Sequence, residues 1–369
     1  MSSLKSFARL VELNAAGLRV DEKIIIIESD DWGSIRSSRD FVSSYLPKKY
    51  KQIANSVYLQ NDSLESKTDL EMLFEVLGSF KDDYGNKPLI TANTVVANPD
   101  FNTIKASGFK TYTFEPFTET LMRRDGDNAV YSLFQLGQNQ KIFIPQFHGR
   151  EHVNVKQWLN LLEEDTMFRE AFEYGVWGLS RDIRPDLRKS VQATLDTDIT
   201  AAKESIISGL ALFKNIFGFN SESFIANNFI WDARLNETLL ENGVFYLQGM
   251  KYQLLPFSDK AARKRLRHHF GERNKFDQIY GVRNCSLEVS EGISSVDSCI
   301  REVGFAFKMK KPAIVSMHRL NFIGSINPIN RENGLDALYK FLDKALKKWP
   351  NVRFMSTPQF NKYIRLHNK

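Results

Sequence analysis

The sequence predicts an α/β fold, a largely parallel sheet wrapped by helices, on three observations. Residues 23–27 (KIIII) hold an unbroken run of four β-branched isoleucines, which suits a strand covered on both faces, as in a parallel sheet. Further apolar runs alternate with helical patterns along the chain, as repeated βα units require. No Pro/Gly/Ser-rich stretch, internal repeat or low-complexity linker marks a boundary, so the chain reads as one enlarged domain over 1–369, with insertions near 155–215 and 250–282. Length alone, at ~150 residues per domain, would suggest two.

The elements follow in order. Leu4, Phe7, Leu10, Val11 and Leu13 have the spacing of a short amphipathic helix. The strand at 23–27 runs into Glu28-Ser29-Asp30-Asp31-Trp32-Gly33-Ser34, a polar turn at the carboxyl end, where α/β folds keep their chemistry. Strands are expected at 88–96, 109–114, 141–147, 223–225, 244–247, 313–317 and 353–355. Helices are expected at 69–80, where Leu70, Leu73, Phe74 and Leu77 share a face, and at 155–162, 166–175, 197–217, 234–242 and 334–348.

Composition excludes several classes. Hydrophobic residues at 42% and charged residues at 25% match ordinary globular usage, which rules out a disordered chain or a collagen. Two cysteines, Cys285 and Cys299, do not make a disulfide framework. No run approaches ~18 consecutive apolar residues, so no transmembrane helix is expected. The first twenty residues lack the continuous apolar core of a signal peptide, and the expectation is a cytoplasmic protein. Oligomeric state has no signature in the sequence.

The net charge of +6 is carried entirely by 260–275 (KAARKRLRHHFGERNK); outside it the charges balance. A helix is expected around 261–267. The segment reads either as a solvated basic helix or as an arm that attracts an anionic substrate. No nucleic-acid motif accompanies it, which disfavours nucleic acid as a partner. His268 and His269 lie inside it and outside any metal-binding pattern.

Three strand ends carry chemistry. His148 and His152, four apart in QFHGREHVN, are expected on one face of a helical turn, close enough to share a metal ion. Catalytic zinc sites typically add a carboxylate and leave a position for water. The Asp30-Asp31 pair can supply one ligand and one general base, or can cap the following turn. His318 ends the apolar run 313–317 and is expected on the same rim. Trp32 and Trp231 follow the candidate strand ends at 27 and 225 and can stack on a sugar or serve as core.

These residues resemble the polysaccharide deacetylase family, carbohydrate esterase family four. Its first motif, an apolar strand ending in a double aspartate before glycine, is matched by Ile24 to Ile27, Ser29, Asp30, Asp31, Trp32 and Gly33. Its second, His-Ser/Thr-x-x-His, is matched by His148-Gly149-Arg150-Glu151-His152. Its last, a strand ending in Leu-His, is matched by Val315-Ser316-Met317-His318. The resemblance implies a distorted (β/α) barrel with helical insertions and a divalent metal, usually zinc, on Asp31, His148 and His152. It implies Asp30 as general base, His318 as general acid, and a metal-dependent hydrolase that deacetylates an N-acetylated sugar or saccharide. Alternatives are hydrolysis of another amide or an O-acetyl ester, or a non-catalytic glycan-binding relative.

The sequence departs from the family in three places. The segment 223–231 (SFIANNFIW) has neither the Arg nor the Pro of the family's Arg-x-Pro-Tyr motif, and Asn227 or Asn228 is the candidate oxyanion donor there. Arg150 and Arg319 are candidates to replace the missing arginine beside Asp30. The segment 283–288 (RNCSLE) is the candidate for the place of the family's Asp-Trp pair. Gly149 stands where Ser or Thr is usual.

Overall fold

All nine residues of β1 (Ile24–Trp32) are buried, and its isoleucines feed two different cores. Ile25 and Ile27 pack outward with Leu70, Leu73, Val315 and Leu338, whereas Ile24 and Ile26 pack inward with Tyr246, Ile279 and Ile314. Successive side chains of a strand point to opposite faces, so a strand covered on both must be apolar at every position. Each such burial is worth about 1.5–3 kcal/mol. On the inner face the series continues Glu28 and Asp30, so the barrel interior turns from apolar to polar along β1.

The computed structural model describes residues 3–46, 56–179, 189–257 and 263–367. The other strands are β2 (Ile90–Thr94), β3 (Ala97–Pro99), β4 (Phe114–Pro116), β5 (Phe143–Phe147), β6 (Ser223–Phe224), β7 (Tyr246–Leu247), β8 (Tyr252–Leu254), β9 (Arg265–Arg267), β10 (Ile279–Tyr280), β11 (Cys285–Ser286), β12 (Ala313–His318) and β13 (Arg353–Phe354). The main sheet runs β10-β7-β6-β5-β2-β1-β12-β11, with β13 also on β1. Every pairing in it is parallel. The result is a distorted (β/α) barrel whose two end strands, β10 and β11, are neighbours in the chain.

Helices close the outside. Lys67–Gly78 starts with a Ser66/Asp69 capping box, which satisfies two of its free backbone N–H groups. It joins Val296–Lys308 and Pro328–Lys348 on the β1 side. Ile199–Phe217 covers β5 to β7. Val155–Glu164 and Thr166–Glu173 build a separate apolar cluster with Phe41 and Trp177.

Several expectations need correction. The helix expected around 261–267 is a strand at Arg265–Arg267, antiparallel to β8; residues 260–262 lie outside the described residues. Exposed Arg265 and Arg267 alternate with half-buried Leu266, a period of two that the dense charge obscures. Residues 109–113 are not a strand, and β4 begins only at Phe114. The expected helix at 234–242 divides into a 3-10 turn, Ala233–Leu235, and a helix, Asn236–Glu241. The last long helix begins at Pro328, because proline at its first turn surrenders no helical hydrogen bond. Among the described residues no helix is long and apolar enough to cross a membrane.

Candidate metal centre

Asp30 and Asp31 are adjacent, and in a regular strand they would face opposite sides of the sheet. The β1–β2 register shifts between Ser29 and Trp32, and Asp31 takes a left-handed φ of 76°. Aspartate tolerates that region better than most residues. The irregularity re-aims the chain, so both carboxylates line one cavity of about 260 Å³.

Asp31 Oδ1 lies 3.2 Å from His148 Nε2 and 3.1 Å from His152 Nε2. The histidines do not share a helical turn as the spacing suggested. Residues 148–152 form an irregular loop, and Gly149 at φ 104° folds it so that the two rings sit 5.4 Å apart. A Cβ at Gly149 would come within 3.0 Å of Asn227 Oδ1, so the usual Ser or Thr does not fit this backbone. Gly149→Ser is expected to cost about 1–3 kcal/mol through backbone strain and to weaken metal binding. Denaturant melts and a metal titration of the variant check this.

The donor set fits a divalent cation. His148 Nδ1 is 3.0 Å from the Ile225 carbonyl, which only accepts, so Nδ1 carries a proton and Nε2 is the nitrogen turned to Asp31. Asn227 Nδ2, which donates to the His148 carbonyl at 2.8 Å, stays 3.5 Å from that Nε2. With its proton on Nδ1, His148 can turn Nε2 to a cation shared with Asp31 Oδ1. Ligands at ~2.1 Å on a tetrahedral ion stand ~3.4 Å apart, close to the separations seen. Burial pushes the His152 pKa down to about 4 against the pull of Asp31, so its imidazole is neutral and able to coordinate. Burial opposes the Asp31 charge, but with the permanently charged Arg36 2.9 Å away its carboxyl stays well below the usual range.

Asp30 is held from an unexpected direction. Arg283 Nη1 and Nη2 donate to its two oxygens at 2.6 and 2.7 Å, and Arg283 Nε donates to Glu28 Oε2 at 2.8 Å. Asn93 Nδ2 adds a bond to Asp30 Oδ1 at 2.8 Å. Burial would raise the Asp30 pKa, but Arg283 outweighs it and the carboxyl stays low and ionised. Neither Arg150 nor Arg319 takes this role. Arg150 pairs with Glu151, and Arg319 is spent on Asp62 and Glu65.

His318 has its Nδ1 2.8 Å from Glu288 Oε1, and Glu288 Oε2 accepts from the His318 backbone N–H at 3.2 Å. Burial alone would lower its pKa; Glu288 reverses this and raises it to about 10. With Nδ1 engaged, Nε2 is left for the cavity that His318 lines. The segment 283–288 therefore supplies partners for both Asp30 and His318.

The remaining expected residues divide. Trp32 is fully buried, donates to Ser29 Oγ and packs on Phe143 and Phe322. Trp231 is buried against Phe224 and donates to Asn236 Oδ1. Neither lines the cavity, so both are corrected to core residues. Asn227 is buried, and its amide braces the His148 loop as described above. Asn228 does line the cavity, and its side chain donates to Ser190 Oγ. Asn228 and the next residue, Phe229, both adopt left-handed φ, 53° and 58°, which turns Phe229 into the cavity wall. The sequence gives no sign of Phe229 as an aromatic wall.

No family model matches the chain, and no curated protein matches it. The chain is similar to solved structures at low identity and wide coverage. One is described as a probable polysaccharide deacetylase from Pseudomonas aeruginosa PAO1, with a TM-score of 0.48, 10% identity, and coverage of 97% of this chain and 98% of that one. Another is Puue allantoinase, with a TM-score of 0.45, 12% identity and coverage of 97% of each chain. A third is a family 4 acetyl xylan esterase from Clostridium thermocellum in complex with a cobalt ion, with a TM-score of 0.40, 8% identity, and coverage of 93% of this chain and 91% of that one.

Proposed function

We propose that the chain is a metal-dependent hydrolase that removes an acetyl group from an N-acetylated sugar, with Asp31, His148 and His152 holding one divalent ion, zinc by donor type. The observation that carries this reading is that one cavity brings together the Asp31/His148/His152 donors, an ionised Asp30 and a protonated His318. An ion held there supplies Lewis-acid polarisation of the acyl carbonyl and a more acidic water.

The protein groups do the proton work. A carboxylate has about four acceptor positions. Arg283 takes one on each oxygen of Asp30 and Asn93 takes another on Oδ1, which leaves Oδ2 to accept the proton of the attacking water. His318 Nε2 donates its proton to the departing nitrogen, and Glu288 stabilises the imidazolium beforehand. Each positioned acid or base contributes about 10²–10⁴-fold. Phe229 offers an apolar face for the C–H edge of a sugar.

The test is acetate release from a panel of N-acetylated sugars, O-acetyl esters and other amides by the metal-loaded protein, with elemental analysis of the same sample. Chelation should abolish release and readdition of zinc should restore it. Release from esters or other amides alone would move the substrate class. A bound metal with no turnover on any compound would sink the hydrolase reading in favour of a glycan-binding relative.

A further inference from the structure

Arg36 is a buried cation in the cavity wall that the proposed chemistry does not use. It leaves β1 four residues after Trp32, and its side chain is 3% exposed. Tyr58 and Trp177 flank the guanidinium, their ring centroids 5.3 and 5.2 Å from its carbon, which fixes the position of the fork. Nη2 donates to Asp31 Oδ2 at 2.9 Å. Nε lies 3.4 Å from Asp62 Oδ2 without hydrogen-bond geometry, and Asp62 is already held by Arg319 at 3.1 Å.

A guanidinium has five N–H donors, and buried ones almost always find acceptors. Here one hydrogen bond, to Asp31, is made among the described residues. Gly178 keeps the Nη1 side open: a Cβ there would stand 3.0 Å from Arg36 Cδ and 3.8 Å from Nη1. Both Gly178 and Arg36 line the cavity.

The other cations around the cavity are already engaged. Arg283 is shared by Glu28 and Asp30, and His318 is engaged by Glu288, so neither cation is open to a ligand's charge as Arg36 is. Asp31 is a single negative charge facing Arg36 and, in the loaded site, a divalent ion. An incoming oxyanion would meet in Arg36 a planar fork suited to two parallel hydrogen bonds.

We propose that the cavity takes a small acylated molecule that carries a carboxylate or phosphate, and that Arg36 binds that oxyanion. This deepens the hydrolase reading and relies on it only for where the acyl group lies. The cavity, about 260 Å³, is sized for a single small unit. The basic residues of β9 belong to the same picture: β8, its partner strand, bridges through Leu254 to Ile230 in the cavity-wall loop. Exposed Lys264, Arg265 and Arg267 there would steer anions toward the site.

The experiment is calorimetric binding to the full chain, both zinc-loaded and chelator-treated. The probes are N-acetylglucosamine, its 6-phosphate and its 6-carboxylate, N-acetylglucosaminuronic acid. At least one anionic probe should bind about tenfold or more tighter than the neutral sugar, in both metal states. The stronger of the two identifies phosphate or carboxylate as the group read. Arg36→Gln should bring anionic and neutral probes to parity, and Arg36→Lys should retain part of the preference. No anionic preference in the wild type overturns the proposal. So does a preference that vanishes on chelation, which would make the metal the reader, or one untouched by Arg36→Gln. Should Arg36→Gln fail to fold, the wild-type comparison across metal states still decides. Anionic preference without acetate release would leave Arg36 as the reader and sink the hydrolase reading; acetate release from neutral and anionic sugars with equal affinity would do the reverse.

Discussion

Replacing Arg283 by methionine should lower stability at pH 7 by about 3–5 kcal/mol, the usual cost of stripping the partner from a buried ion pair. It should also shift the acid limb of the pH–rate profile upward. Arg283 is 1% exposed and forms ion pairs with both Glu28 and Asp30, each as buried as itself. Without it, Asp30 keeps Asn93 and Glu28 keeps Thr357 Oγ1, and neither partner carries charge. Burial, no longer outweighed by Arg283, raises the Asp30 pKa and pushes Glu28, already raised by burial, further up. The sign follows. In the wild type the depressed Asp30 pKa adds stability above the unfolded carboxyl range, and that stability is lost as pH falls through the folded value. In Arg283→Met the carboxyls fold more readily protonated, so stability should recover as pH is lowered toward 4–5. Arg283→Lys keeps the charge but not the two-pronged geometry, and should fall between the two. Denaturant melts at pH 5 and 7, with rate profiles for all three proteins, test this. A methionine variant as stable as wild type at pH 7, with an unmoved acid limb, would remove Arg283 from the site.

Arg283 also shows where sequence reading stops. The acidic strand end after Ile27, the two histidines after β5 and the histidine closing β12 were legible because each sits where an apolar run meets polar residues. That pattern is local, and the burial of β1 on both faces explains it. Arg283 reaches Asp30 from the far side of the chain, between the two-residue strands β10 and β11, which are too short to show any periodicity. Its role depends on the curl of the sheet that brings β11 beside β12 and β1. The expected candidates, Arg150 and Arg319, were near the motifs in sequence but are consumed by Glu151, Asp62 and Glu65. Trp32 and Trp231 were misplaced for a related reason. An aromatic after a strand end points inward or outward according to local backbone, and the shifted register at Asp31 sends Trp32 into the core. The left-handed residues Asp31, Asn228 and Phe229 have no compositional signal, and they decide which side chains face the cavity.

Glu288→Gln should leave the protein able to bind metal but move the alkaline limb of its pH–rate profile down by several pH units. In the proposed reaction His318 must be protonated to donate to the leaving nitrogen, so activity should fall as pH rises through its pKa. In the wild type that pKa is raised to about 10, since Glu288, 2.8 Å from Nδ1, overcomes the effect of burial. Glutamine keeps a hydrogen-bond acceptor but removes the charge. Burial is then offset only by the weaker pull of Asp31 and Asp30, and the pKa falls back to the ordinary ~6.5. At pH 8 about 3% or less of His318 would remain protonated, a loss of about 30-fold or more in rate. At pH 6 the variant should regain most of its activity, which a variant with a collapsed site would not. The stability linkage has the same origin. A histidine raised in the folded state stabilises fully below its unfolded pKa, and that contribution fades as pH climbs toward 10. Glu288→Gln should therefore lose most stability near pH 6 and almost none near pH 10. Glu291 Oε1 stands 3.9 Å from the same nitrogen and is bound by Tyr58 at 3.0 Å. If it substituted for Glu288, the limb would barely move, and the Glu291→Gln single variant and the double variant would then show the large shift. A limb near pH 10 in all three variants would mean that His318 is not the acid.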